Sequence, residues 1–259
     1  MIRSLFTSIS GMITQEAKQD VITNNLANAN TAGFKSDSLT IKKFNDVLIQ
    51  NYDKKVGDKN VRNVIGSISN GASIDGVVTD FSQGDIEGSD SSTDFALSGS
   101  GFFTVQRDDG VGKTNYYTRD GHFHVNMSGM LVNDSGDAVM GRDLNNNLTA
   151  INVGSGKLGC DVLGNINIDG VSKYKLEVVD FSDDTKLKKI GDNLFQGDNP
   201  TQTTSTAVKQ NSLEKSNVNV INEMVNMITT MRSFETNQKI VQSLDETLNK
   251  AVNEVGTVR

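Results

Sequence analysis

The chain has 259 residues, a formal net charge of −7, 22% charged side chains, one cysteine, one proline and no tryptophan. A single cysteine cannot close an internal disulfide, and beside only two histidines it makes a Cys/His zinc centre a poor expectation. The acidic balance argues against a nucleic-acid binder, and no stretch approaches the roughly 20 apolar residues of a membrane span.

All but two of the 24 glycines, Gly11 and Gly256, lie between residues 30 and 211. Glycine weakens helices and serves turns, so the pattern predicts a β-rich middle between two helical ends. At the N-terminus, Met1-Ile2-Arg3-Ser4-Leu5-Phe6 lacks the uninterrupted apolar core and small-residue cleavage site of a signal peptide. The expectation is a protein that stays in the cytoplasm or leaves by a route without a cleaved signal. Ile2, Leu5, Phe6, Ile9, Met12, Ile13, Ala17 and Val21 form an apolar stripe at helical spacing over residues 1–30. The helix is predicted to end near Asn24-Asn25-Leu26-Ala27-Asn28-Ala29-Asn30, before Thr31-Ala32-Gly33, because Asn and Gly tolerate the left-handed conformation.

Residues 31–76 are expected to be an extended or linking segment, with 53–76 polar and flexible or at a sheet edge. Residues 77–197 are expected to form a β body of meander or barrel type. Apolar runs such as Phe95–Gln106, Tyr116–Arg119 and Ala138–Met140 are punctuated by Asp-Gly and Ser-Gly turns. Residues 198–211, rich in Thr and Gln, are read as a return connection. Over 212–259 the periodicity predicts a long helix. Val220, Met224, Met227, Met231, Phe234, Val241, Leu248, Val252 and Val255 follow alternating three- and four-residue steps, interrupted only by Gln238 and Asp245. The three methionines are readable either as plain core filling or as a packing surface that adapts to non-identical neighbours. The two terminal helices look built to pair. Their stripes are long enough to leave surface for helices of other subunits, although packing within a single globule is the plainer reading. The fold class is therefore α+β, with paired, coiled-coil-like terminal helices flanking a β domain.

Residues that suggest chemistry fail on spacing. Gly154-Ser155-Gly156-Lys157 lacks the first Gly and the closing Ser or Thr of a phosphate loop, these places being held by Ile151 and Leu158. Asp143-Leu144-Asn145-Asn146-Asn147 begins like a calcium loop but has Leu148 for the required Gly and no closing Glu. His122 and His124 would share one side of a strand without a third ligand spaced nearby, and Cys160 reads as a small half-buried residue. Asp94, Arg119 and Asp120 read as turn and strand-end residues. No catalytic fingerprint is present, and neither a metal nor a cofactor is expected.

Read together, several segments resemble the bacterial flagellar rod/hook axial proteins. Asn24-Asn25-Leu26-Ala27-Asn28 followed by Thr31-Ala32-Gly33-Phe34-Lys35 is similar to that family's N-N-L-A-N and T-x-G-F-K. Gln83-Gly84-Asp85-Ile86 and the run Asp94 to Phe103, with Gly99, Gly101, Phe102 and Phe103, resemble its Q-G-x-(I/L) and D-(F/L)-A-(I/L)-x-G-x-G-F-F. Tyr117-Thr118-Arg119 matches Y-T-R. Leu213-Glu214-Lys215-Ser216-Asn217-Val218 and Glu223–Ile228 match L-E-x-S-N-V and E-M-V-x-M-I.

The resemblance implies a non-enzymatic subunit of the flagellar basal body, located outside the cytoplasmic membrane. It would self-assemble into a helical tube that carries motor torque to the hook. Its partners would be further copies, other rod proteins, the hook protein and the flagellar type III export apparatus, with neither nucleic acid nor membrane insertion. Terminal helices would form the inner layers, and as a free monomer they would be partly disordered. The start, Met1 to Leu5, resembles the distal-rod type, whereas Met231-Arg232-Ser233-Phe234-Glu235 lies nearer the proximal type. The competing class is a soluble enzyme or adhesin whose helices form a stalk.

Overall fold

Helix α1 (Ile2–Ala27) opens the chain and helix α2 (Val220–Lys250) closes it, continued by a π turn over Ala251–Val255. This computed structural model describes residues 2–56, 59–108, 110, 112–203 and 206–255; the side chains of residues 2, 54–60 and 254–255 lie outside that description. Two compact units are formed. The first takes Met1–Leu26, Asp37–Val78 and Val220–Arg259; the second takes Ala27–Ser36 and Thr79–Asn219.

In the first unit both helices are driven by three- and four-residue apolar spacing rather than by propensity alone, since both carry many Ser, Thr and Asn. Gly11, the one glycine of α1, lies against α2, where a Cβ would sit 3.0 Å from Asn237 Nδ2. Residues 31–76, read from sequence as an extended or linking segment, carry strands β1 (Asp37–Lys43), β2 (Val47–Val56), β3 (Lys59–Ile68) and the start of β4 (Ala72–Thr79). β1 pairs with β4, and β2 with β3 in an antiparallel ribbon. Register shifts at Ile49/Gln50 and Asn51/Lys54 break the simple alternation of this ribbon. A bulge moves the next side chain to the other face, which blurs the strand period in a segment read as extended, and over 53–76 as flexible or at a sheet edge. Within that span, residues 57–58 lie outside the described residues.

The second unit is β-rich. Its strands, in chain order, are β5 (Ile86–Gly88), β6 (Phe95–Ser98), β7 (Phe102–Asp108), β8 (Lys113–Thr118), β9 (His124–Val125), β10 (Leu131–Val132), β11 (Ala138–Asp143), β12 (Leu148–Ala150), β13 (Leu158–Cys160), β14 (Asn165–Ile168), β15 (Val171–Leu176), β16 (Val178–Asp180), β17 (Lys188–Gly191), β18 (Leu194–Gln196), β19 (Thr201–Gln202), β20 (Ala207–Gln210) and β21 (Ser212–Glu214). The main sheet runs β13-β14-β15-β11-β7-β8-β18-β17. Of the expected meander or barrel, the barrel does not close among the described residues. β13 and β17 are the two ends of the path, and β7 and β11 branch to extra partners along their length, so the sheet forks instead of closing. The stretch read as a return connection, 198–211, is itself stitched in, with β19 on β16 and β20 on β6.

Adjacent side chains of β7 point to opposite faces and both faces are covered. Phe103 enters the main core with Phe95, Leu97, Phe123, Leu131, Val139 and Ile151. Phe102 enters a smaller aromatic cluster with Tyr117, Val179 and Phe195, flanked by Phe81 and Phe181.

Candidate functional site

Two features beyond the core draw on the residues singled out in the sequence. The first is the outer faces of the helices. On α1 the buried side chains are Ser8, Thr14, Ile22 and Asn25, on the same side as Gly11. At 100° per residue this side lies opposite Phe6, Ile9 and Ile13, which are 62%, 38% and 53% exposed. Leu5 and Val21 are half-buried, and Ile2 is helical with its side chain outside the description.

α2 is divided in the same way. Glu223, Met227, Thr230, Phe234, Asn237, Val241, Leu244 and Leu248 are its buried or half-buried positions, in alternating four- and three-residue steps. Val220, Met224 and Met231, placed by the sequence on this same stripe, are exposed together with Ile221, Val225 and Ile228. The inward stripe therefore uses Thr230, Asn237 and Leu244 where the sequence suggested Met231, Gln238 and Asp245. Small and polar side chains on an inward stripe escape an apolar search. Each helix thus has an inward stripe with polar members and exposes apolar side chains near its start, Phe6, Ile9 and Ile13 on α1 and Val220 to Met231 on α2.

The second feature is a buried ionic junction in the β unit, made from residues up to 179 positions apart. Lys35 Nζ lies 2.6 Å from Glu214 Oε1, and both side chains are fully buried. Arg119 Nη1 donates to Glu214 Oε2 at 3.1 Å, and its Nη2 donates to the Gly99 carbonyl at 2.9 Å. The same carboxylate accepts the Gly84 amide at 2.9 Å, while Lys35 also donates to the Ser82 carbonyl at 2.7 Å. Two cations share one anion, so burial draws the Lys35 ammonium below its ordinary range while the Glu214 charge opposes the shift. The backbone closes the same knot: the Gly33 amide donates to the Glu214 carbonyl at 2.8 Å, and the Lys215 amide to the Asp85 carbonyl at 2.8 Å. Gly33 holds φ +65°, and a Cβ there would collide with the Arg119–Asp120 backbone. Strand ends, a turn and the segment that leads to α2 meet at one carboxylate. Nothing in this arrangement presents a nucleophile or an open acid–base pair; it is a fastener.

Comparison with known proteins gives these features a context. Residues 5–35 match the family "Flagella basal body rod protein", residues 96–178 the "Flagellar hook protein FlgE/F/G D1 domain", and residues 209–254 the "Flagellar basal body rod FlgEFG protein C-terminal". The "Flagellar basal-body rod protein FlgG" of Buchnera aphidicola subsp. Schizaphis graminum is 34% identical, over 96% of this chain and 98% of its own. The protein of the same description from Bacillus subtilis is 32% identical over 98% and 99%. The "Flagellar basal-body rod protein FlgF" of Caulobacter vibrioides is 28% identical over the full length of both. The chain belongs to the flagellar basal-body rod family. It is a structural rod protein and not an enzyme, and its place is the flagellar basal body.

The motif residues of this rod protein have distinct mechanical places. Asn25 uses both ends of its amide on Asp37, donating to the carbonyl at 2.8 Å and accepting from the amide at 2.9 Å. Asn24 is exposed and Leu26 half-buried. The Asn28 carbonyl and side chain both accept from Thr31, which turns the chain beyond α1. Phe34 is buried beneath Lys189, whose ammonium sits 4.0 Å from the ring centre. Gly99 and Gly101 hold φ near +120°. Thr118 Oγ1 donates to the Asn193 carbonyl. Asn217 accepts the Ser36 amide and donates to the Asp80 carbonyl, both at 2.8 Å, and the Ser216 hydroxyl accepts the Val218 amide. Leu213 and Val218 are half-buried. Lys35 and Gly84 stand within the T-x-G-F-K and Q-G-x-(I/L) motifs, which by themselves give them no role. The available signal was charge in apolar company, as in Phe34-Lys35 and Leu213-Glu214. The sequence alone does not say that these charges meet.

Proposed function

We propose that this rod protein self-assembles through the outward faces of α1 and α2, each copy covering the apolar face of another. A contact between unlike faces whose rotation does not close into a ring builds an open helical tube, which would serve as the drive shaft between motor and hook. The observation that carries this reading is the opposition of the two faces. Phe6, Ile9, Ile13, Val220, Met224, Met231 and their neighbours stand in solvent, while the inward stripes hold Ser8, Thr14, Thr230 and Asn237. A contiguous apolar face of this kind is uncommon on a solitary protein.

In this reading Leu5, Val21, Met227, Phe234, Val241 and Leu248 pack within the helix pair. Export proceeds by the flagellar type III apparatus, and the neighbours along the axis are other rod proteins and the hook protein. The distal part of the rod is the favoured position, on the likeness of Met1 to Leu5. A proximal position is the second reading, favoured by Met231-Arg232-Ser233-Phe234-Glu235. Complementation separates them. In a host lacking its distal-rod subunit, this chain restores motility under the first reading. Restoration only in a host lacking a proximal subunit would establish the second.

A further inference from the structure

The β2–β3 ribbon has no core of its own. None of its described side chains is buried, and Leu48, Tyr52, Val64 and Ile65 are more than half exposed. A two-stranded ribbon in water is marginal by itself, so its order depends on what holds its root. The root lies where the β1–β4 pair hands over to the ribbon. There the Phe44 amide donates to the Gly71 carbonyl at 3.1 Å, and the Ser69 hydroxyl lies 3.1 Å from the Phe44 and Gly71 carbonyls alike.

Two hydroxyls of α1 hold this root. The Ala72 amide donates to Ser10 Oγ at 3.3 Å, while that hydroxyl gives its own proton to the Thr7 carbonyl at 2.8 Å. Thr7 Oγ1 shares its proton between the Arg3 carbonyl at 3.0 Å and the Asn70 carbonyl at 3.2 Å. Gly71 lets the turn come this close: its φ is +137°, and a Cβ there would stand 2.3 Å from Ser10 Oγ. At 100° per residue Ser10 lies about 40° around the helix from Phe6, on the flank of the exposed Phe6–Ile9–Ile13 face. We propose that Ser10, with Thr7 beside it, latches the 69–72 turn to α1, so that the ribbon is ordered only where α1 is ordered. A copy that covers Phe6, Ile9 and Ile13 then stiffens the ribbon without touching it. The latch itself is intramolecular, and only this last step rests on the assembly reading.

The test is hydrogen exchange of the full chain, read in whichever state protects α1, monomer or polymer. Ser10→Ala is expected to lower protection of the Ala72 amide and of the ribbon amides at 47–53 and 61–68 by at least about threefold, with α1 and the β6–β20 pair unchanged. Alanine is the better helix former, so this loss cannot come from a weaker α1. Gly71→Ala, which forces the turn away from Ser10, should cost the ribbon less protection in the Ser10→Ala chain than in wild type, as two residues of one contact do. Ribbon protection unchanged by Ser10→Ala, or a ribbon protected in a monomer whose α1 exchanges fast, overturns the latch. If α1 is equally protected in monomer and polymer, the assembly reading falls, and the Ser10→Ala comparison still decides the latch.

Discussion

Glu214 concentrates the residue-scale energetics. Removing its charge leaves Lys35 and Arg119 buried without an anion, and breaking a buried pair in this way costs about 3–5 kcal/mol. Glu214→Gln should lower the free energy of unfolding by that amount in urea denaturation. Lys42→Ala, which breaks the exposed Lys42–Asp75 pair, should cost less than about 1 kcal/mol in the same assay. Equal losses would show that burial does not set the value of these pairs. Asp120 gives a prediction with a definite sign. Its carboxyl is raised to about 6 by burial, so between about pH 4 and pH 6 the folded chain holds a proton that the unfolded chain has released. Its contribution to stability is therefore present at the acid end, lost as pH rises through that window, and constant above it. Asp120→Asn should gain stability relative to wild type as pH rises from about 4 to 6, measured by denaturation at each pH. A constant difference would contradict the burial of that charge.

At the scale of elements, the two faces of α2 should separate under substitution. Met231→Asp adds a charge to the outward face, where Met231 is 41% exposed, and should change unfolding free energy by no more than about 0.5 kcal/mol. It should nevertheless abolish polymerisation, seen by sedimentation. Thr230→Asp, one residue away on the inward stripe and 2% exposed, should cost several kcal/mol before any assembly is attempted. The helices themselves were legible in the sequence because apolar residues at three- and four-residue steps are a strong signal. The phase of the inward stripe was not. An apolar search passes over Thr230 and Asn237 and accepts Met231, which faces out. The period of β2 and β3 was blurred, because bulges at Ile49/Gln50 and Asn51/Lys54 interrupt it, and the segment read only as extended. In the β body, Asp-Gly and Ser-Gly turns marked the strand breaks. Closure into a barrel depends on which edges meet, and β13 and β17 carry no local signal of that. The ionic junction was half legible: its members stand in recognisable motifs, but pairing over 179 positions is a property of topology.

The whole molecule combines a fastened β unit with two helices that leave apolar side chains in solvent, Phe6, Ile9 and Ile13 on α1 and Val220 to Met231 on α2. In the assembly proposed above, burial of those faces between copies would supply the cohesion of the shaft. Membership of the flagellar rod family agrees with a mechanical role. The central claim is that neighbouring copies complete the terminal helices, and hydrogen exchange on monomer and polymer tests it most directly. The account predicts fast exchange over 2–27 and 220–250 in the monomer, strong protection of both on polymerisation, and little change in the β unit at 95–180. Equal protection of both helices in monomer and polymer, with new protection confined to the β unit, would contradict it.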